Sequence, residues 1–458
     1  MVVGDFAQGT EVAVIGGGTG GYVAAIRAAQ LGLEVTLIEK EYLGGLCLNW
    51  GCIPSKALIH VADLKSRIQQ ADQLGILVSK TEVDLAKLMD WKTGIVEKLR
   101  NGVTSLLSSN KVEVVTGTAE FQHAILATGS IAAELPAMPR DGEVVIDSRD
   151  ALEPKTLPER LIVVGAGAVG LELGMVYAKL GTKVTILEAS ENLLPFVDAD
   201  IPRVIERSLK LHGIDLILGA RTKEMERKES GGSLRYATAD GDKSLDADQI
   251  LVAIGRRPNT SGIGLEKAGV KINEKGFVEV NNRMETSARN IYAVGDMVPG
   301  PQLAHKASYQ GKVAAEVIAG EPASFEGVEV PSVIFTDPEI AWVGLTEAQA
   351  KAEGYKVKKG RFPFKALGRT LTLGEQSHGF VKIVSDEEAG TVLGVHIVGP
   401  SASDLISEGV LAVSSASHID DLALTIHPHP TLPESIEEAA EQTENRAIHI
   451  FNPVRADR

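Results

Sequence analysis

Cys47 and Cys52 are the only cysteines in 458 residues, and both lie in one stretch, GGLCLNWGCIPSK, running from Gly44 to Lys56. Two thiols this close can staple a loop, help to hold a metal, or cycle between dithiol and disulfide. A bridge across so short a loop constrains the unfolded chain by only ~2 kcal/mol, and a reducing cytosol tends to open it. A structural zinc takes about four ligands, and no further cysteine exists to supply them. No metal is expected. Redox cycling fits best, since it needs close spacing, access and a lowered thiol pKa.

The rest of the composition agrees with a reducing compartment. Hydrophobic residues make up 44% and charged residues 23%, as in an ordinary soluble globular protein. No opening segment joins a basic stretch to an apolar run, and no apolar stretch is long enough to span a bilayer. The expectation is a cytoplasmic protein with no membrane partner. A net charge of −15, spread without long acidic runs, argues against nucleic acid as a partner. Solubility accounts for that charge; the alternative is that some acidic surface receives a basic partner. The length supports roughly three or four domains.

A redox pair needs an electron partner, and the elements upstream supply one. EVAVIGGGTGGYVAAIRAAQLGLEVTLIE reads as an apolar strand, the turn Gly16-x-Gly18-x-x-Gly21, an alanine-rich helix closing at Gly32, and a second strand ending in Glu39. Glycines in such a turn let the backbone approach a pyrophosphate at a helix N-terminus, while the terminal acid accepts from ribose hydroxyls. The unit occurs again in RLIVVGAGAVGLELGMVYAKLGTKVTILE, with Gly165, Gly167, Gly170, Gly181 and Glu188 all displaced by the same 149 positions. These are two copies of one fold, so the chain binds two dinucleotides. The cysteines follow the first copy, which should hold a resident flavin, FAD. Glu188 would repel a 2′-phosphate and the following ASENLLP offers no arginine, so the visiting nucleotide is NAD rather than NADP.

Five ordered motifs then resemble the pyridine nucleotide-disulfide oxidoreductase family (class I) over nearly the whole chain. They are the cysteine motif, ATGS at Ala127 to Ser130, GRRPN from Gly255, IYAVGD ending at Asp296, and HPHPTLPE from His427 to Glu434. The likeness is greatest to the branch that oxidises dihydrolipoamide with NAD in 2-oxo-acid dehydrogenase and related complexes. Glutathione-type reductases usually carry a different residue where Ser55 stands and use NADP; mercuric reductases end in a cysteine pair, and this chain ends in RADR.

The resemblance implies an α/β architecture: two Rossmann-like dinucleotide-binding domains, for FAD (residues 1–148) and NAD (149–268), a central segment returning to FAD (269–328), and a C-terminal α+β dimerisation domain (329–458). It implies tight, non-covalent FAD on Gly16, Gly18, Gly21, Glu39, Lys56, Ala127, Thr128, Gly129, Asp296, Leu303, Ala304 and His305. It implies NAD on Gly165, Gly167, Gly170, Glu172, Glu188 and Gly255. Glu172 is the family partner of Lys56; the alternative for it is a solvent-facing helix residue, but LELG follows the glycine turn so closely that Glu172 should face the nicotinamide. The catalytic residues implied are Cys47, Cys52, His429 and Glu434, with His427 structural. His429 deprotonates the dithiol, Cys47 is attacked, Cys52 faces the flavin, and electrons pass on to NAD.

The implied partners are a second copy, forming a homodimer, and the lipoyl domain and basic peripheral-subunit-binding domain of an acyltransferase core. Two alternatives stand beside this reading: a related disulfide or quinone reductase using NAD(P)H, and a non-catalytic assembly or redox-sensing subunit. Two departures from the family also stand out. Between TAEF and HAILATGS relatives usually have a longer strand-rich excursion, whereas here only one residue separates Phe121 from His123, so a hairpin is missing from the fold or from the sequence. At Ala168, relatives often carry tyrosine, valine or isoleucine, and a methyl group cannot shield a flavin ring.

Overall fold

The computed structural model of the chain describes residues 8–115, 119–374 and 378–452. Strands β1 (Gln8–Ile15), β2 (Val35–Ile38), β3 (Glu113–Val115), β4 (Ala119–Leu126) and β15 (Ile291–Ala293) form a parallel sheet in the order β15-β4-β1-β2-β3. Val12 to Val14 are fully buried, as expected of a parallel strand covered on both faces. Helix α1 (Thr19–Gln30) lies against it on Ala24, Ala25 and Ala28, whose small side chains permit close helix–sheet packing.

The second sheet repeats the first. Strands β6 (Val145–Ile146), β7 (Arg160–Val164), β8 (Lys183–Leu187), β9 (Asp215–Ile217) and β13 (Gln249–Val252) are parallel in the order β6-β13-β7-β8-β9. Helix α6 (Ala168–Leu180) is the counterpart of α1. An antiparallel ribbon of β10 (Arg221–Arg227), β11 (Gly232–Thr238) and β12 (Gly241–Ala247) leads into β13. The short helix α5 (Ser148–Ala151) is held by a capping box between Asp147 and Asp150. Because β6 already pairs with β13, the crossing from first to second sheet precedes Val145. Strands β5 (Ser130–Ala132) and β14 (Arg256–Pro258) pair antiparallel where the chain leaves and rejoins the first unit.

Strand β4 runs unbroken alongside β1, from Gln8 opposite Ala119 to Ile15 opposite Leu126. With the residues present, β4 passes through Phe121 to His123 in one register. The two amphipathic stretches after the cysteines are α3 (Cys52–Gln69), which follows the short α2 (Gly45–Trp50), and α4 (Leu85–Ser109). Asp84 caps α4 by accepting from the Lys87 N–H at 3.1 Å. Helix α7 (Pro202–Leu211) packs on the second sheet, and α8 (Ala304–Ile318) packs along α1.

The C-terminal domain is an antiparallel sheet, β16 (Ser332–Ile334), β17 (Glu339–Gly344), β20 (Val392–Gly399), β19 (Phe380–Asp386) and β18 (Val357–Pro363), in that order. Helices α9 (Glu347–Ala352), α10 (Gly368–Leu371), α11 (Ala402–Ser414), α12 (Ile419–Ala423) and α13 (Glu434–Thr443) accompany it. It is tied to the second unit by Lys382, whose buried ammonium donates to Asp198 at 2.8 Å, Asp200 at 3.0 Å and Glu347 at 3.0 Å. Among the described residues, no helix is long and apolar enough to cross a membrane.

Candidate active site

The two glycine turns are superimposable in their local chemistry. Gly16 and Gly165 have φ of +106° and +103°, and a Cβ on either would strike the carbonyl of Ala127 or Ala253 at 2.4 or 2.6 Å. Glu39 accepts from the Gly17 N–H at 2.6 Å, and Glu188 from the Ala166 N–H at 2.8 Å and the Ser190 N–H at 2.8 Å. Gly167 caps α6 with no heavy atom within 4 Å of where a Cβ would stand, and Gly18 caps α1 with none nearer than 3.9 Å. Each turn therefore leaves side-chain-free space in front of a helix N-terminus, which suits a pyrophosphate. The residues present fit two dinucleotides, with Gly21 and Gly170 keeping each helix tight against its turn.

The cysteine segment is docked onto the first of these turns. Gly44 N–H donates to the Gly17 carbonyl at 2.8 Å, and Gly45 has φ +57° with its Cα so close to Gly18 that a Cβ would stand 2.6 Å from the Gly18 Cα. Cys47 lies inside α2, the helix breaks at Gly51, and Cys52 is the first residue of α3. Both cysteines are half-buried thiols in the structure. They differ sharply in acidity. The hydrogen bond from Cys47, aided by Lys56, outweighs burial and brings the Cys52 thiol down to about 7. That same hydrogen bond, together with burial, pushes Cys47 well above the usual thiol range.

Lys56, one turn further along α3, reaches across to the second unit. Its Nζ donates to Glu172 Oε2 at 2.9 Å and sits 4.1 Å from the centroid of the Phe335 ring. Glu172 is 7% exposed, so the solvent-facing reading of that position does not hold. Its Oε1 accepts from the Phe335 N–H at 3.0 Å, which brings the C-terminal domain into the same junction. Phe335 was not legible as a site residue, because a phenylalanine in an apolar stretch carries no chemical signature.

Thr128 and Ser130 meet the returning chain. Thr128 Oγ1 donates to the Asn259 carbonyl at 2.7 Å, and Ser130 Oγ donates to Asp296 Oδ2 at 2.6 Å. Arg256 grips Ser130 twice, at 2.8 Å through its hydroxyl and 2.8 Å through its carbonyl. Arg256 is a further residue that sequence reasoning missed, although it lies inside the quoted GRRPN; Gly255 beside it has φ +113°. Leu303 caps α8, Ala304 and His305 open it, and His305 Nε2 lies 2.7 Å from the Pro331 carbonyl.

His429 and Glu434 form a pair, Nδ1 to Oε1 at 2.7 Å, while Glu434 Oε2 accepts from the Thr431 N–H at 2.6 Å. Burial would raise the Glu434 carboxyl, but Thr431 and His429 outweigh it and hold it below the usual carboxylate range. Glu434 is also the first residue of α13, where a negative charge is favoured. His427 is enclosed instead, between Glu408 at 3.0 Å and Glu437 at 3.2 Å. Among the described residues, no hydrogen bond or ion pair joins the His429–Glu434 pair to Cys47 or Cys52.

Residues 10–311 match the family described as pyridine nucleotide-disulphide oxidoreductase, and residues 330–440 match its dimerisation domain. The chain belongs to this family. Among pyridine nucleotide-disulphide oxidoreductases, it is 46% identical to a dihydrolipoyl dehydrogenase of Geobacillus stearothermophilus, over 98% of this chain and all of that one. It is 46% identical to one of Haloferax volcanii (99% and 100% covered) and 45% identical to one of Bacillus subtilis (98% and 100%). Among solved structures it is similar to LpdA of Mycobacterium tuberculosis, with TM-score 0.87, 31% identity, and 94% and 99% of the two chains covered. It also resembles the flavoprotein disulfide reductase RclA of Escherichia coli, with TM-score 0.83, 28% identity and the same coverage.

Proposed function

We propose that the chain is a dihydrolipoamide dehydrogenase that works as a cytoplasmic homodimer with FAD and NAD. The observation that carries this reading is the placement of the Cys47/Cys52 pair, docked through Gly44 on the first dinucleotide cradle and joined to the helix of the second by the Lys56–Glu172 ion pair. Bound FAD would supply the relay between two-electron thiol chemistry and nicotinamide chemistry. The protein's own groups divide the remaining work.

In the oxidised enzyme Cys47 and Cys52 share a disulfide. His429 Nδ1 donates to Glu434, which leaves Nε2 free to take a proton from the substrate dithiol. The resulting thiolate attacks Cys47, and Cys52 leaves with the bonding electrons. His429 passes that first proton to solvent and takes the proton of the substrate's second thiol, whose sulfur then displaces Cys47. Cys47 leaves and receives the second proton from His429, so one disulfide is reduced to the Cys47 thiol and Cys52 thiolate, one is formed, and one proton is released. Lys56 stabilises the negative charge on Cys52. Glu188 accepts from ribose hydroxyls and disfavours a 2′-phosphate.

The dimer is supported by exposed apolar side chains on the C-terminal domain, namely Leu424, Ile426, Ile448 and Phe451. A second copy would also bring a His429 to face the cysteines, which the single chain does not do. The acidic helix α13, with Glu437 and Glu441, and Glu444 just beyond its end support a basic peripheral-subunit-binding domain as a partner beside the lipoyl domain.

The deciding experiment compares dihydrolipoamide with NAD against glutathione disulfide and a quinone with NADH, using purified yellow protein. Turnover of dihydrolipoamide at least ~100-fold above the others is expected; a preference for either other acceptor would overturn the assignment.

A further inference from the structure

Helices α3 and α6 belong to different dinucleotide units, yet they are joined by two ion pairs with the same sequence offset. Lys56 pairs with Glu172, and Asp63 Oδ1 accepts from Lys179 Nζ at 2.6 Å, each pair spanning 116 residues. Equal offsets mean that the two helices run parallel without slip over two turns. The polarity of the pairs is reversed: cation on α3 in the first, cation on α6 in the second. A slip of one heptad would set Lys56 against Lys179, or Asp63 against Glu172, so the wrong register meets like charges. Lys65 fastens the far end of α6, donating to the carbonyls of Lys179 and Leu180 at 2.9 Å each.

The C-terminal domain closes the arrangement. Asp337 Oδ2 accepts from Lys179 at 2.5 Å, the Asp337 N–H points to Met175 Sδ at 3.3 Å, and His212 Nε2 lies 3.3 Å from Asp337. Ser208 donates to the Asp337 carbonyl. The side chain of Lys179 is only 3% exposed, so its charge depends on these two carboxylates for solvation.

We infer that Lys179, held by Asp63 and Asp337, is a positioning residue that fixes the register of the NAD helix on the helix bearing Cys52, and so the alignment of the nucleotide half-reaction. Cys52 opens α3 and the second glycine turn opens α6. A shift of α6 along α3 therefore moves the nucleotide cradle relative to the redox centre while leaving each intact. The inference rests on the proposed use of NAD, but not on the identity of the dithiol.

The test compares Lys179→Met, Lys179→Arg and Asp63→Asn with the parent chain, all with FAD bound. NADH affinity is titrated, flavin bleaching by NADH is followed by stopped flow, and cysteine reduction by dithiothreitol is timed separately. Lys179→Met should slow the NADH step by about tenfold or more, since small misplacements cost that much. NADH affinity and the dithiothreitol step should stay within about twofold. Lys179→Arg should recover most of the rate. Asp63→Asn, which keeps the Lys179–Asp337 contact, should show a smaller loss of the same kind and covers the case in which Lys179→Met does not fold. Equal slowing of both steps, loss of NADH affinity, or a lowered melting temperature with unchanged rates would overturn the inference. Failure of the parent to oxidise dihydrolipoamide would instead count against the proposed function, leaving this comparison valid.

Discussion

His429 and Glu434 are bonded Nδ1 to Oε1 at 2.7 Å, yet the histidine ring is 80% exposed and the carboxylate only 17%. One edge of the imidazole is committed and the other is open. His429→Ala should lower the rate of cysteine reduction by dihydrolipoamide by about 10²–10⁴-fold, the range for a lost general base. Glu434→Ala should cost about tenfold or more, because the ring keeps its place but loses its orienting acceptor. Single-turnover kinetics would read both, and a rate unaffected by either change would remove the pair from the mechanism.

The acidity of Cys52 gives a pH signature. With the thiol brought down to about 7, its thiolate is largely absent at pH 6 and largely present at pH 8 in the two-electron-reduced enzyme. A long-wavelength thiolate-to-flavin absorption should therefore grow as pH rises through that region. Lys56→Met should move the midpoint upward, since a cation favouring the thiolate is gone. The band should survive Cys47→Ser and vanish in Cys52→Ser; the opposite result would exchange the two roles.

Lys382 makes a prediction about stability. Its side chain and that of Asp198 are 3% and 2% exposed, so Lys382→Met strands a buried carboxylate. The cost should be about 3–5 kcal/mol in urea unfolding at pH 7. Burial alone would raise Glu347, but Lys351, Lys359 and Lys382 outweigh it and hold it down at about 2, against an ordinary 4.5. That contribution is complete above the ordinary value and is lost as the pH falls through the folded one. The acid slope of stability between those values should be shallower in Lys382→Met than in the parent, at lower overall stability.

Glu188 bridges the Ala166 and Ser190 amides, with its carboxylate at the end of β8 where a ribose would lie. Glu188→Ala combined with Ser190→Arg should shift kcat/KM toward NADPH by roughly ten- to a hundredfold, as expected for gaining a charged hydrogen bond. An unchanged ratio would show that this acid does not read the ribose.

The parts of the site that were legible in the sequence are those whose chemistry is local. A glycine turn needs its positive φ, its helix and its terminal acid within some two dozen residues, and the cysteine motif carries its own glycines and lysine. The rest of the site is built by distance. Lys179 and Asp63 read as ordinary helix charges, and only packing of α3 on α6 buries the lysine and pairs it with the half-buried aspartate. Arg256 meets Ser130 across 126 residues, and Phe335 meets Glu172 across 163. The pairing of β4 with β1 is likewise a matter of register between distant segments, which no local pattern carries.

The antiparallel pairing of β5 with β14 sets Ala132 opposite Arg256. Paired residues of this kind lie about 4.5–5.5 Å apart. The chain therefore departs on its whole second journey, and comes back, through what amounts to a single stitch. A two-residue turn could close that stitch. The second dinucleotide-type copy is thus grafted into its sibling like a loop drawn out on a thread, and its two cut ends, if severed there, would already be touching.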